Sequence, residues 1–71
     1  MYRFKLLRIQ SGYSQKQVAD LLGVSRSTYE HYENETREIN FTQAIKLAYI
    51  FNCDLNSLVE DSSVIQWLFT N

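Results

Sequence analysis

The chain has no proline, only two glycines and a single cysteine among its 71 residues. Without proline, helices can be ended only by capping residues and by Gly12 and Gly23. One cysteine, Cys53, excludes a disulfide within the chain. With one histidine beside it, a Cys/His zinc site is excluded too. Cys53 reads as a small packed apolar residue in a reduced, cytoplasmic setting. Long hydrophobic runs are also missing. The longest apolar window, Ala44 to Phe51, is interrupted by Lys46 and is too short to span a bilayer. Residues 1–9 are basic and apolar but lead into no cleavage site of a secretory signal.

Neither sign of charge is in large excess. The formal net charge of −1 argues against indiscriminate attachment to nucleic acid. The charges are polarised, however. Residues 1–53 hold all seven Lys and Arg against five acids, whereas residues 54–71 hold three acids and no base. One face can therefore attract a polyanion despite the acidic total. A uniformly mixed surface would give the same totals.

What is present is helical punctuation. Apolar residues make up 45% of the chain, with five Tyr, four Phe and one Trp, enough for one small core. A first helix is expected from about Tyr2 to Gln10, stopping at Gly12. Ser14 caps a second helix, with Gln17 completing a capping box and Tyr13 and Val18 a hydrophobic staple. That helix ends at Gly23. Ser25 caps a third helix running to about Asn34, with Val24 and Tyr29 as its staple. Glu35 to Ile39 form a loop. Asn40 caps a fourth helix, about Phe41 to Phe51, with Gln43 at the capping-box position. Asn52 ends it, and Asp54 caps a short fifth helix with Cys53 and Leu58 as staple. The fold class is therefore all-α: five short helices around one core in residues 1–61, followed by a tail, residues 62–71.

Apolar spacing assigns the core to Phe4 and Leu7, to Val18, Ala19 and Leu22, and to Tyr29 and Tyr32. From the fourth helix it assigns Phe41, Ala44, Ile45, Ala48 and Phe51, and Leu55, Leu58 and Val59 close the bottom. Tyr2, Leu6 and Ile9 form a second apolar stripe on the first helix. The tail carries Val64, Ile65, Trp67, Leu68 and Phe69, which need a partner surface: that second stripe, another subunit or another protein.

Residues 14–34 carry the chemistry. Two capped helices are joined by Gly23-Val24-Ser25, the layout of a helix-turn-helix whose second helix enters the DNA major groove. Ala19 is small where the two helices approach, and Gly23 permits a positive φ. The second of these helices presents Arg26, Ser27, Glu30 and His31 on one side. Arg26 can donate twice to guanine O6 and N7, or bind a phosphate alone. Ser27 can touch a base edge or a phosphate, or be merely a small first-turn residue. Glu30 can accept from cytosine N4, or simply repel phosphates. His31 can donate to a base or a phosphate, or stand in solvent.

This stretch resembles the Cro/phage-repressor family of helix-turn-helix domains. The resemblance rests on Ser14-Gln15, Ala19, Gly23, Val24-Ser25 and Glu33-Asn34. It extends to Leu7-Arg8 and Gly12 ahead of the motif and to Lys46-Leu47-Ala48 and Asp54-Leu55 behind it, from about Phe4 to Val59. The resemblance implies a lambda-repressor-like fold. It also implies base reading by Arg26, Ser27 and His31, with Glu30 beside them, and phosphate contact by Gln15. Asn34, Thr36 and Arg37, in the loop after the third helix, and Lys16 join the phosphate contacts. Arg8 and Glu33 match a buried ion pair of the family, whose loss of one partner costs about 3–5 kcal/mol. One departure stands out: glycine commonly follows the Glu-Asn pair, and here Glu35 does. A carboxylate beside a phosphate is unfavourable, and a positive φ there would be strained.

The expected function is sequence-specific binding of double-stranded DNA as a repressor, with a homodimer on a roughly palindromic operator joined through the fifth helix or the tail. No cofactor, metal or enzymatic activity is expected, since no nucleophile–base pair or phosphate loop is present. The alternatives are an antitoxin whose tail binds a toxin, and a protein-interaction module that has lost DNA binding.

Overall fold

The computed structural model describes residues 2–59. They form four α-helices, α1 (Phe4–Ser11), α2 (Gln15–Leu22), α3 (Arg26–Glu33) and α4 (Phe41–Ile50), and then a 3-10 helix, Leu55–Leu58. The tail and the boundary expected at residue 61 lie outside the described residues.

Side-chain caps start three of the α-helices. Ser14 Oγ accepts from Gln17 N at 3.1 Å while Gln17 Oε1 accepts from Ser14 N at 2.8 Å, a complete capping box. Ser25 Oγ accepts from Thr28 N at 3.1 Å, and Asn40 Oδ1 from Gln43 N at 2.8 Å. The box expected at Asn40 is only half formed, because the Gln43 side chain turns inward and its Oε1 is enclosed without a hydrogen-bond partner.

All four α-helices end in one geometry. In α1, Gly12 N donates to Ile9 O and Tyr13 N to Arg8 O; in α2, Gly23 N donates to Asp20 O and Val24 N to Ala19 O. In α3, Glu35 N donates to Tyr32 O and Thr36 N to His31 O; in α4, Asn52 N donates to Tyr49 O and Cys53 N to Ala48 O. These paired bonds are the Schellman motif, which needs one left-handed residue. That residue is Gly12 (φ 81°), Gly23 (φ 77°), Glu35 (φ 60°) and Asn52 (φ 54°) in turn.

The ends of the described segment meet. Tyr2 and Val59 form an antiparallel bridge, and Arg3 N donates to Leu58 O at 2.7 Å. This extended pairing holds Tyr2 out of α1, which starts at Phe4 instead of Tyr2. Tyr2 stacks on Phe4 with ring centroids 4.5 Å apart and so packs on the core rather than on the second stripe of α1. The same bridge leaves four residues after Asp54, enough for one turn. The fifth helix is accordingly a 3-10 turn capped by Asp54, whose Oδ1 accepts from Ser57 N at 2.9 Å.

The core comprises Phe4, Val18, Ala19, Leu22, Tyr29, Tyr32, Leu47, Ala48, Phe51 and Leu58, with Leu7, Tyr13, Val24, Ala44 and Cys53 packed against it. The stripe on α4 differs from the expected one. Phe41 is 70% exposed and Ile45 36%, while Leu47 is fully buried. Seven of the ten positions of α4 are apolar, so two stripes can be drawn along it. The one that faces inward runs Ala44, Leu47, Ala48, Phe51. Leu55, expected in the core, is also partly exposed.

Candidate nucleic-acid interface

Two helix starts build the site. Ser14 fixes where α2 begins, and Ser25 fixes where α3 begins, reinforced by a 3.0 Å bond from its hydroxyl to Thr28 Oγ1. Between them the chain turns on Gly23. A Cβ there would meet nothing within 4 Å, so the constraint on this position is its left-handed φ alone. Ala19 is fully buried on α2, and Val24 N donates back to its carbonyl at 3.0 Å.

This arrangement sets the phase of α3. Tyr29 and Tyr32 point into the core, which leaves Arg26, Ser27, Glu30 and His31 exposed. Arg26 lines a shallow depression together with Arg8, Ser14, Gln15 and Lys16. The start of α2 and the start of α3 thus share one basic edge. Asn34, Thr36 and Arg37 are exposed in the segment after α3. Thr36 is joined to His31 by a 2.8 Å contact between Thr36 Oγ1 and His31 Nδ1.

Behind the edge lies a polar network. Arg8 Nε donates to Glu33 Oε2 at 2.6 Å, and Arg8 Nη1 donates to Tyr13 O at 3.0 Å. Gln15 Nε2 donates to Glu33 Oε1 at 3.2 Å. The Arg8 and Glu33 side chains are 12% and 2% exposed. The enclosed Tyr29 hydroxyl lies beside this pair as a close polar neighbour, short of hydrogen-bond geometry with either. Burial pushes its pKa far up, so it stays a neutral phenol. Burial also acts to raise the Glu33 carboxyl, but the Arg8 hydrogen bonds, with Tyr29 and Gln15 alongside, outweigh it and hold the group below its ordinary range. The hydrogen bond to Glu33 raises Arg8 in turn.

The sequence did not reveal two of these links. Gln15 reaches Glu33 across two helices, and His31 reaches Thr36 across a left-handed turn that carries no glycine to mark it. At the far end of the chain, burial, then the Asp54 charge, raises the Cys53 thiol, which keeps it protonated. Among the described residues, no group of three or more His, Cys, Asp or Glu could hold a metal ion, and no helix is long and apolar enough to cross a membrane.

A family model described as helix-turn-helix matches residues 4–58. No curated protein matches the chain. The matched span covers all four α-helices and the 3-10 turn, and with them the capped pair, the glycine turn and the outward face of α3. The chain belongs to the Cro/C1-type helix-turn-helix family of DNA-binding regulators.

Proposed function

We propose that this protein represses transcription by binding a specific double-stranded DNA operator and occluding it. The observation that carries the reading is the outward face of α3, where Arg26, Ser27, Glu30 and His31 stand exposed beside the basic edge formed with Gln15 and Lys16. Arg26 reads guanine, Glu30 accepts from cytosine N4, and Ser27 and His31 contact neighbouring base edges. Gln15, Lys16, Asn34 and Arg37 contact phosphates, with Thr36 in the same loop. Gln15 spends one amide N–H on Glu33 and has a second for a phosphate oxygen. Such contacts set register and supply affinity that falls with salt.

One α3 supplies few base contacts, so two copies are expected on a roughly palindromic site, joined through the 3-10 segment or the tail. The working compartment is the cytoplasm. No cofactor takes part and no reaction is catalysed.

Selection of bound duplexes from a random pool tests the reading. The wild type should enrich a two-fold symmetric sequence. Arg26→Ala should relax preference at one base pair in each half-site, while Gln15→Ala should weaken all duplexes alike. Unchanged discrimination in Arg26→Ala would remove its reader role.

A second reading is favoured by an apolar surface on α4. Phe41 is 70% exposed and Tyr49 84%, with Ile45 and Leu55 also partly open. A protein partner could seat there or on Val64, Ile65, Trp67, Leu68 and Phe69, as in an antitoxin or a module that has lost DNA binding. A module that has lost DNA binding would enrich no duplex, whereas an antitoxin would enrich one and also hold its toxin in a complex insensitive to Arg26→Ala.

A further inference from the structure

Beside the 3-10 turn lies a groove of about 500 Å3 that opens to solvent. Ile45, Ala48 and Tyr49 of α4 line it, with Cys53, Asp54 and Leu55 of the segment that follows. Five of these six residues are apolar. Ala48 and Cys53 pack on the core, whereas Tyr49 is 84% exposed, Leu55 38% and Ile45 36%. An apolar concavity of this kind is a surface made to be covered.

Two observations select what covers it. The first is where the chain goes next. Leu55 opens the 3-10 turn and Val59 follows its last residue. At about 2 Å of rise per residue the two stand within about 10 Å of each other. Residues 60–71, outside the described residues, include Val64, Ile65, Trp67, Leu68 and Phe69. Glu60 to Ser63 give Val64 a reach of up to about 17 Å from Val59, enough to meet the groove. The second observation concerns the competing surface. The apolar stripe on α1 has lost Tyr2, which stacks on Phe4 and packs on the core. Of that stripe only Leu6 and Ile9 stay exposed. A second copy or another protein must also arrive from solution. A segment tethered this closely acts at an effective concentration on the order of millimolar.

We propose that residues 64–69 of the same chain fill this groove, with the Trp67 indole as the anchoring side chain. Trp67 is the largest apolar side chain of the tail and gains most from burial. Docked there, the tail covers Ile45, Tyr49 and Leu55. No residue of α3 lines the groove, so the proposal goes beyond the DNA-binding reading and stands whether or not the protein selects a duplex. A contact between two copies through the tail then uses the side turned away from α4.

Trp67 is the only tryptophan of the 71 residues, so its fluorescence in the full chain tests the docking directly. The wild type should emit to the blue of a solvated indole and be quenched only weakly by acrylamide. Tyr49→Ser and Ile45→Ser should move the emission to the red and strengthen the quenching, whereas Ile9→Ser should change neither. Tyr49 is 84% exposed, so its replacement leaves the core intact. NMR of the wild type, which needs no variant, should show contacts between the Trp67 ring protons and the Ile45 methyls. In a mixture of isotope-labelled and unlabelled chains, those contacts should be absent between chains of different label. A solvated indole in the wild type would overturn the proposal. Contacts between differently labelled chains would overturn it in favour of a second copy. A red shift in Ile9→Ser with none in Tyr49→Ser would overturn it in favour of the α1 stripe.

Discussion

The Arg8 guanidinium and the Glu33 carboxylate meet at 2.6 Å between α1 and α3, with both side chains largely withdrawn from water. A buried charge without its partner is far less favourable than a buried pair. Arg8→Ala is therefore expected to lower unfolding free energy by about 3–5 kcal/mol. Replacing both residues by methionine should recover most of that loss. Urea denaturation of the two variants reads both numbers; equal losses would mean that the charge left behind is not what destabilises Arg8→Ala.

The same pair gives a pH signature. Folding lowers the Glu33 carboxyl from its ordinary value of 4.5. A carboxyl lowered on folding contributes stability that is present above the unfolded value and is lost as pH falls through the folded one. At pH 7 the wild type should exceed Glu33→Gln in stability, and the gap should close as pH falls below 4.5. Urea midpoints from pH 7 to pH 3 follow it. A gap independent of pH would exclude the carboxylate charge as its source.

Glu35 holds a left-handed φ of 60° at the position where α1 and α2 use glycine. The strain is about 1–2 kcal/mol for a residue with a Cβ, and glycine gives back part of it through the entropy of the unfolded chain. Relief of this strain in Glu35→Gly is expected to contribute about 0.5–1 kcal/mol to stability, read as a rise in the urea midpoint relative to Glu35→Ala, which lacks the same side-chain atoms but keeps the strain. Glu35→Gln keeps the strain and removes the charge. It should raise affinity for random duplex at low salt, where a carboxylate beside phosphates is repelled. Equal DNA affinity in both variants and the wild type would take Glu35 away from the DNA backbone.

Leu47 and Phe41 lie on different faces of α4. Leu47 is fully buried and Phe41 is 70% exposed. Leu47→Ala should cost about 2–5 kcal/mol through lost contacts and a cavity, whereas Phe41→Ala should change stability by about 0.5 kcal/mol or less. Thermal melts of both variants decide which stripe faces the core.

Much of this was legible because it is local. Ser14, Ser25, Asn40 and Asp54 each bond the backbone three residues on, so spacing alone marks them. Gly12 and Gly23 mark their own turns. The phase of α4 was not legible, because Phe41 and Ile45 are as apolar as the residues that replace them inside. What selects Leu47 is the surface that α4 meets. The opening of α1 was displaced for a similar reason, since nothing near Tyr2 announces a pairing with Val59. At the interface, the exposure of Arg26, Ser27, Glu30 and His31 follows from two tyrosines pointing the other way. The links from Gln15 to Glu33 and from His31 to Thr36 join residues that only the folded chain brings together.

The α-helices are eight, eight, eight and ten residues long. Lengths below about 12 residues do not persist alone in water. A synthetic peptide of residues 14–34 would be a random coil, blind to any operator. The exposed face of α3 and the interior thus melt as one cooperative body. Duplex engaged by the folded form would raise the melting temperature in proportion to the logarithm of its concentration, so a calorimeter could rank operators without any reporter gene.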